Sequence, residues 1–583
     1  MHHRHPSRFL VFIIGLVLAS TLTQSLAVAQ VAPFLPGSPS IEFTLMDRSV
    51  DPADDFYRYA NGRWLDTAEL PEGEYRYGPF NENTNEVDEI LFDVLLDFEP
   101  DQSTDAGKAR SFYDQIVDEE RRADLGVTPI QPVLDEIMAI TSIEEGLEFQ
   151  MGAYNYRLQG LFYPATAPNV ENSEILAGYI ADSDLSLPSF WDYLDHSDEG
   201  DELKEEWVTA TATLLEELGY SPREAHTAAE AVLEFETDMA RAMWRIPEDD
   251  GTHPWNVHRT LDELQDLSPA IDWETYVAES ALPDDLDVLY LQDLLYLEAL
   301  DGILADADPL VLQYLFATQL AWLSANYLTM DMFEVAQDFE SRVVNGIDAE
   351  PDLEVFAYQA TTQNFPDVFA RAYVEEAFSP ATKAEVEDLV QHMIDAFRLR
   401  IENNEWMSDE TKAKAIEKLE LMTVLVGYPD EWTSYENVII GDSVYETMQN
   451  IYTLTNARTL GEVGGPIDRS EWPMSAFEIN AAYIPTQNAI VFPAGVLQSP
   501  FFDPNADLAF NYGGIGAVIG HEITHAFDIS GSQYDGYGNL VEWWTPEDYD
   551  AFSALNAQVI AQYDELEVLP DLFVDGELTI TEN

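Results

Sequence analysis

The sequence contains no cysteine and little basic charge. Its 583 residues include 26 Lys and Arg against 110 Asp and Glu, which gives a formal net charge of −84. The lack of Cys excludes a disulfide scaffold. The lack of cationic surface excludes nucleic acid as a default partner, because binding to phosphate groups needs Lys and Arg. With 46% apolar and 12% aromatic residues the chain can still bury a core, and at ~150 residues per domain it should form two or more lobes.

Lysine is the scarcer of the two basic residues, with six Lys against twenty Arg. A surface rich in carboxylates and poor in lysine stays soluble through self-repulsion that salt screens. This composition is typical of a protein from a saline habitat, and equally of an acidic extracellular protein.

The first 29 residues have the three parts of an export signal. Arg4 and Arg8 precede a short apolar run from Phe9 to Ala19, and small residues at Ala27 and Ala29 complete the pattern that a signal peptidase reads. The run is shorter than the ~20 residues of a membrane-spanning helix, which makes an uncleaved anchor the minor alternative. We expect a signal peptide at 1–29 and a linker at 30–50. The protein should therefore be periplasmic or extracellular, without stable membrane insertion after cleavage.

The residue pattern of the remaining chain changes near residue 430. From about residue 85 to 422 most segments carry apolar residues at spacings of three and four, which predicts helices. Beyond Gly427, β-branched runs at 438–440 and 489–492 indicate mixed strand and helix. The sequence thus predicts a mainly α fold with minor β, with a mostly helical region at 51–430 and a second lobe at 431–583.

The strongest chemical motif is His-Glu-Ile-Thr-His at residues 521–525. On a helix with ~100° per residue, His521 and His525 lie on one face, close enough to share a metal ion. Glu522 lies on the neighbouring flank, where it can reach a metal-bound water. The motif alone leaves a helix with two surface histidines as the alternative, and zinc needs at least one further ligand.

Several segments together make the sequence resemble the neprilysin and endothelin-converting-enzyme family of zinc metallopeptidases, peptidase family M13, including its secreted bacterial oligopeptidases. The resemblance runs from about residue 51 to the last residue. The matching segments are 54–64, 480–485, 488–502, 518–528 and 539–544.

The resemblance implies a two-lobed shell in which a thermolysin-like catalytic lobe and a large helical lobe surround a central cavity. It implies a zinc-dependent endopeptidase of oligopeptides with one Zn²⁺ per chain. His521, His525 and Glu582 match the family's zinc ligands, and Glu522 matches its general base. Asp528 matches the carboxylate that holds a zinc histidine through the ring nitrogen facing away from the metal.

The resemblance also implies a set of substrate-binding residues. Asn480 and Ala481 match the edge segment that pairs with the substrate backbone, and Arg76 matches an arginine that meets the C-terminal side of the substrate. Phe80, Phe501 and Val518 match the walls of the apolar pocket after the scissile bond, so cleavage before apolar residues is expected. Ala517 replaces a bulkier residue of that pocket and suggests a roomier one.

Some positions depart from the family pattern, and the chain ends at Asn583, before the family's last catalytic segment. We therefore expect a C-terminally incomplete copy of the enzyme, whose given chain would be inactive. A catalytically inactive peptide-binding relative remains the alternative, and a structural zinc protein is a weaker one. No oligomeric state follows from the sequence. The departing residues are Thr84, Ala482, Ala526, Ile529 and Thr581.

Overall fold

The structure is a computed structural model that describes residues 43–71, 76–243, 257–283, 285–347, 352–569 and 572–582. The predicted signal peptide at 1–29 and most of the predicted linker at 30–50 lie outside the described residues. Within these ranges no helix combines the length and the apolar character needed to cross a membrane.

Helices dominate the described chain, which confirms the mainly α prediction. Four of them lie at the N-terminal end of the described chain. Asp55 caps the first by accepting a hydrogen bond from the Arg58 N–H, which satisfies one of the free donors at a helix start. The four are α1 (Phe56–Thr67), α2 (Pro79–Asp97), α3 (Asp105–Val117) and α4 (Glu119–Leu125).

The first core is built mainly by the middle of the chain, from residue 130 to 339, with a few residues from 445 to 463, and includes fully buried aromatics such as Trp207 and Trp273. Its helices are α5 (Gln131–Met138), α6 (Ile143–Ala153), α7 (Phe190–Leu194), α8 (Asp198–Glu217), α9 (Pro222–Met243), α10 (Leu261–Leu267), α11 (Trp273–Glu279), α12 (Leu294–Asp306), α13 (Val311–Ala325) and α14 (Met330–Asp338).

A four-stranded sheet lies in this region, which the sequence predicted to be helical. Its order is β1-β2-β4-β3. The β1–β2 and β3–β4 pairs are antiparallel, and β2–β4 is parallel. Pro164 and Pro168 disfavour a strand prediction for this segment, because proline cannot donate a backbone hydrogen bond. They are tolerated in β1 because it lies at the edge of the sheet. The strands are β1 (Phe162–Asn169), β2 (Asn172–Asp182), β3 (Val257–Thr260) and β4 (Val288–Leu291).

The second core combines segments that are far apart in sequence. It joins the apolar stripe of α2 (Val87, Leu91 and Leu95) to the later helices and to the C-terminal sheet. Residues 51–430 therefore contribute to both cores, and α19 has buried residues in each. The later helices are α15 (Leu353–Asn364), α16 (Pro366–Ala377), α17 (Pro380–Glu402), α18 (Asp409–Leu421), α19 (Val444–Gly461), α20 (Leu508–Gly513), α21 (Ile515–His525) and α22 (Pro546–Tyr563).

A three-stranded sheet of order β5-β7-β6 supports the second core. Strand β7 (Ala489–Pro493) is fully buried, as its apolar run predicts; it pairs in parallel with β5 (Thr423–Gly427) and antiparallel with the edge strand β6 (Ala482–Ile484). The other predicted run, 438–440, forms no strand, because the chain turns there and the Val438 N–H donates to the Tyr435 carbonyl. A short hairpin of β8 (Glu567–Leu569) and β9 (Leu572–Phe573) follows α22.

Candidate metal centre

Helix α21 carries the two histidines and is fixed at its start by backbone contacts. Gly514 offers no side-chain cap, and the Ile515 N–H donates to the Phe501 carbonyl at 2.7 Å. A Cβ on Gly514 would lie 2.4 Å from that same oxygen, so glycine is required there. Ile515, Ile519 and Ile523 are fully buried in the second core. Because each histidine is two residues, or ~200°, from an isoleucine, both imidazoles point away from the core.

The two imidazoles and one carboxylate converge on a small volume. Nε2 of His521 lies 2.9 Å from Nε2 of His525. Oε2 of Glu582 lies 3.3 Å from the first of these nitrogens and 3.9 Å from the second. Bonds of ~2.0–2.1 Å in a tetrahedral zinc site place ligand atoms ~3.3 Å apart. The three measured separations bracket that value, so the donor set fits zinc.

Glu582 reaches the histidines from a turn that is anchored on α22. The Gly576 N–H donates to Oδ1 of Asp564, and a Cβ on Gly576 would lie 2.3 Å from the Ile560 carbonyl. Asp575 then caps the following turn through the N–H groups of Glu577 and Leu578. These contacts fix the path of the chain that carries Glu582.

Asp528 holds His525 from the side opposite to Glu582. Its Oδ2 lies 2.7 Å from Nδ1 of His525, and its Oδ1 accepts from the N–H groups of Ser530 and Gly531 at 2.7 Å each. With its proton on Nδ1, the ring keeps the Nε2 lone pair free for a metal. A Cβ on Gly531 would lie 1.8 Å from the His525 carbonyl, so only glycine allows this tight turn.

The pKa values of the two histidines move in opposite directions. Burial lowers the pKa of His521, and the nearby His525 ring adds to this. Burial also acts to lower the pKa of His525, but the hydrogen bond to Asp528 and the charge of Glu522 raise it overall.

Glu522 lies beside the histidines but in a different environment. Its carboxyl group is within 4.8 Å of ligand atoms on both imidazoles, and the residue is only 5% exposed. Burial raises its pKa to about 7, although the charge of His525 acts in the other direction. A carboxyl group with a pKa near neutrality can take up and release a proton in turn.

The pocket residues inferred from the resemblance come together only in part. The rings of Phe80 and Phe501 lie 4.8 Å apart, which joins α2 to the segment between β7 and α20. Phe501 and Val518 are half-buried against the second core. Asn480 is exposed and Ala481 half-buried, and both directly precede the edge strand β6. Arg76 is exposed on the segment that leads into α2.

Sequence reasoning missed a set of buried polar residues beneath the site. Lys418, Asn488 and Tyr483 are buried and linked by hydrogen bonds and ring contacts. The signal was present for Lys418, which occupies a core position of the helical stripe Thr411, Ala415, Lys418 and Leu419.

A helix with two histidines that share one face and an intervening buried glutamate, met by a second carboxylate, is an arrangement typical of zinc-dependent metallopeptidases. Family models of peptidase family M13 match residues 52–429 and 480–583. The chain therefore belongs to peptidase family M13, whose members are zinc metalloendopeptidases.

Relatives of known identity agree with this assignment. The neutral endopeptidase of Lactococcus lactis subsp. lactis is 27% identical over 544 residues, covering 91% of this chain and 85% of that protein. Neprilysin-11 of Caenorhabditis elegans is 28% identical over 577 residues, covering 92% and 67%. The crystal structure of the zinc metalloprotease Zmp1 of Mycobacterium tuberculosis in complex with an inhibitor matches with a TM-score of 0.84 at 29% identity, covering 93% of this chain and 84% of that one.

Proposed function

We propose that the protein binds one zinc ion through His521, His525 and Glu582 and hydrolyses oligopeptides with Glu522 as general base. The observation that carries this proposal is the convergence of the three donor atoms at separations of 2.9, 3.3 and 3.9 Å. The side chains of His521 and Glu582 are 41% and 63% exposed, which leaves room for a substrate to approach.

The residues around the metal divide the chemistry between them. A zinc ion held by His521, His525 and Glu582 would acidify a water molecule and polarise the scissile carbonyl. Glu522 would take the proton from the water and deliver it to the leaving amine, a role that its position within 4.8 Å of ligand atoms on both imidazoles allows. Asp528 keeps the proton of His525 on Nδ1.

We further propose that the peptide lies along β6 and is cleaved before an apolar residue. Edge strands offer free backbone groups to an extended peptide, and Asn480 and Ala481 stand at the start of this one. Phe80, Phe501 and Val518 supply apolar walls, and burying one apolar side chain contributes ~1.5–3 kcal/mol. Because Ala517 is small, Phe should be accepted at least as well as Leu.

The N-terminal sequence supports export as the setting of this activity. Its basic start, short apolar run and small residues at Ala27 and Ala29 have the order of a signal peptide. We infer a periplasmic or extracellular enzyme that acts on peptides. N-terminal sequencing of the exported protein should place the cleavage after Ala29.

A peptide-library digest with three proteins tests the function. The zinc-loaded full-length protein should cleave on the N-terminal side of Phe, Leu or Ile. Glu522→Gln should keep zinc and lose ~10²–10⁴-fold in kcat, whereas His521→Ala should lose both zinc and turnover. Peptide binding without turnover by the wild type would instead identify an inactive peptide-binding relative. Charged residues after the cleaved bond would contradict the proposed pocket.

A further inference from the structure

Lys418 of α18 is a buried lysine close to the metal centre, and burial lowers the pKa of its side chain to about 7. It is 1% exposed, although the whole chain has only six lysines. Its Nζ donates to the carbonyls of Gly531 at 2.7 Å and Tyr534 at 2.6 Å. It also lies 5.6 Å from the ring centre of Tyr483 and 5.9 Å from that of Phe527. Such contacts fix a backbone segment firmly, because a buried ammonium group must keep its hydrogen bonds.

One side of this arrangement leads to the metal ligand His525. Gly531 donates its N–H to Oδ1 of Asp528 and offers its carbonyl to Lys418. The other carboxylate oxygen of Asp528 holds Nδ1 of His525. A single residue therefore separates the ammonium group from the carboxylate that orients the imidazole.

The other side leads to the edge strand β6. The Tyr483 hydroxyl donates to Oδ1 of Asn488 at 3.1 Å. Nδ2 of Asn488 in turn donates to the Lys418 carbonyl at 2.9 Å and to the Gly536 carbonyl at 2.9 Å. These bonds use only the backbone of Lys418, whereas its side chain reaches β6 through the Tyr483 ring.

We propose that Lys418 is a positioning residue whose side chain holds the Asp528 turn, and through it the His525 imidazole, in place at the end of α21. Among the described residues no hydrogen bond or ring contact joins the Lys418 side chain to the proposed ligands or to Glu522, so it acts through this turn. The kinetic part of this inference rests on the proposed function, whereas the zinc-binding part requires only the metal site.

Lys108 provides a matched control, because it makes the same type of contact elsewhere. It is buried in α3, and its Nζ donates to the carbonyls of Tyr435 and Glu436 at 2.7 Å each. Lys418→Met and Lys108→Met therefore both remove a buried ammonium group that holds two backbone carbonyls. Both should lower the melting temperature, but only the first should affect the zinc site.

The test measures zinc affinity by competition with a chelating indicator, and then kcat and KM on a cleavable peptide. Lys418→Met should weaken zinc binding ~10–100-fold, as expected for loss of a partner outside the ligand set, and lower kcat with KM within twofold. If Lys418→Met does not fold, Lys418→Gln gives the same comparison, since its amide is too short to reach both carbonyls. Wild-type zinc affinity in the folded variant would overturn the proposal.

A double-mutant cycle tests the route of the effect. If Lys418 acts through the Asp528 turn, adding Lys418→Met to Asp528→Asn should weaken zinc binding much less than it does in the wild type. Fully multiplicative losses would show that Lys418 acts independently of this turn and would overturn the proposed route. Should the wild type bind zinc but cleave no peptide, the endopeptidase function fails while the zinc cycle still decides the role of Lys418.

Discussion

Nδ1 of His525 lies 2.7 Å from Oδ2 of Asp528, three residues further along the chain. The same carboxylate accepts two backbone N–H groups through its other oxygen. Within the turn that follows α21, contacts between near neighbours in sequence therefore orient the imidazole, and a change at Asp528 should act on zinc before it acts on the fold.

Asp528→Asn keeps the shape of the side chain but removes its charge. We expect zinc affinity to fall ~10–100-fold, because the imidazole loses the anion that fixes its tautomer and orientation. Chelator competition measures this. Asp468→Asn is the matched control, since Asp468 also accepts the N–H of the residue two positions on but lies in an exposed turn. Equal zinc affinity in both variants would contradict the role of Asp528.

The variant Glu582→Gln distinguishes the roles of the two carboxylates that lie near the histidines. If Glu582 is the third ligand, its variant should lose more zinc affinity than the ~10–100-fold expected for a residue outside the ligand set, while Glu522→Gln should keep near-normal affinity. Glu577→Gln, an exposed change on the same turn, serves as control. The reverse order of the two variants would make Glu522 the ligand and Glu582 a bystander.

The sequence was sufficient to predict those parts of the site that depend on local spacing. His521 and His525 share a face because four residues make about one helical turn. Residues 489–492 form a buried strand because all four of their side chains are apolar. The edge position of β1, the interleaving of the two cores and the contacts of Lys418 depend on segments that are far apart in sequence. Lys418 and Gly531, for example, are 113 residues apart in sequence. No pattern of neighbouring residues predicts such a pairing.

Salt should stabilise this protein. A chain with a net charge of −84 repels itself, and the Debye length falls from ~10 Å at 0.1 M to ~3 Å at 1 M salt. We expect the melting temperature to rise between these two NaCl concentrations. Sucrose at matched osmolality serves as control, because it does not screen charge. A flat or falling melting temperature in NaCl would count against the hypothesis of a saline habitat.

Glu236 in α9 should make the first core sensitive to pH. It is 1% exposed and accepts hydrogen bonds from the Ser186 hydroxyl at 2.8 Å and the Tyr193 hydroxyl at 2.6 Å. Burial raises its pKa to about 7, and these hydrogen bonds offset only part of the shift. The folded protein therefore binds this proton more tightly than the unfolded chain does, and its stability is highest below the unfolded pKa of ~4.3.

As the pH rises from the unfolded pKa to about 7, the free energy of unfolding should fall, because folding keeps the carboxyl group protonated. Between pH 5 and 8 the wild type should lose on the order of 2–3 kcal/mol relative to Glu236→Gln, which cannot titrate. Denaturant unfolding at both pH values measures the difference. Glu234→Gln, an exposed change on the same helix, should show no such pH dependence. A constant difference between the wild type and Glu236→Gln would mean that Glu236 is ionised in the folded protein across this range, with its charge met by the Ser186 and Tyr193 donors.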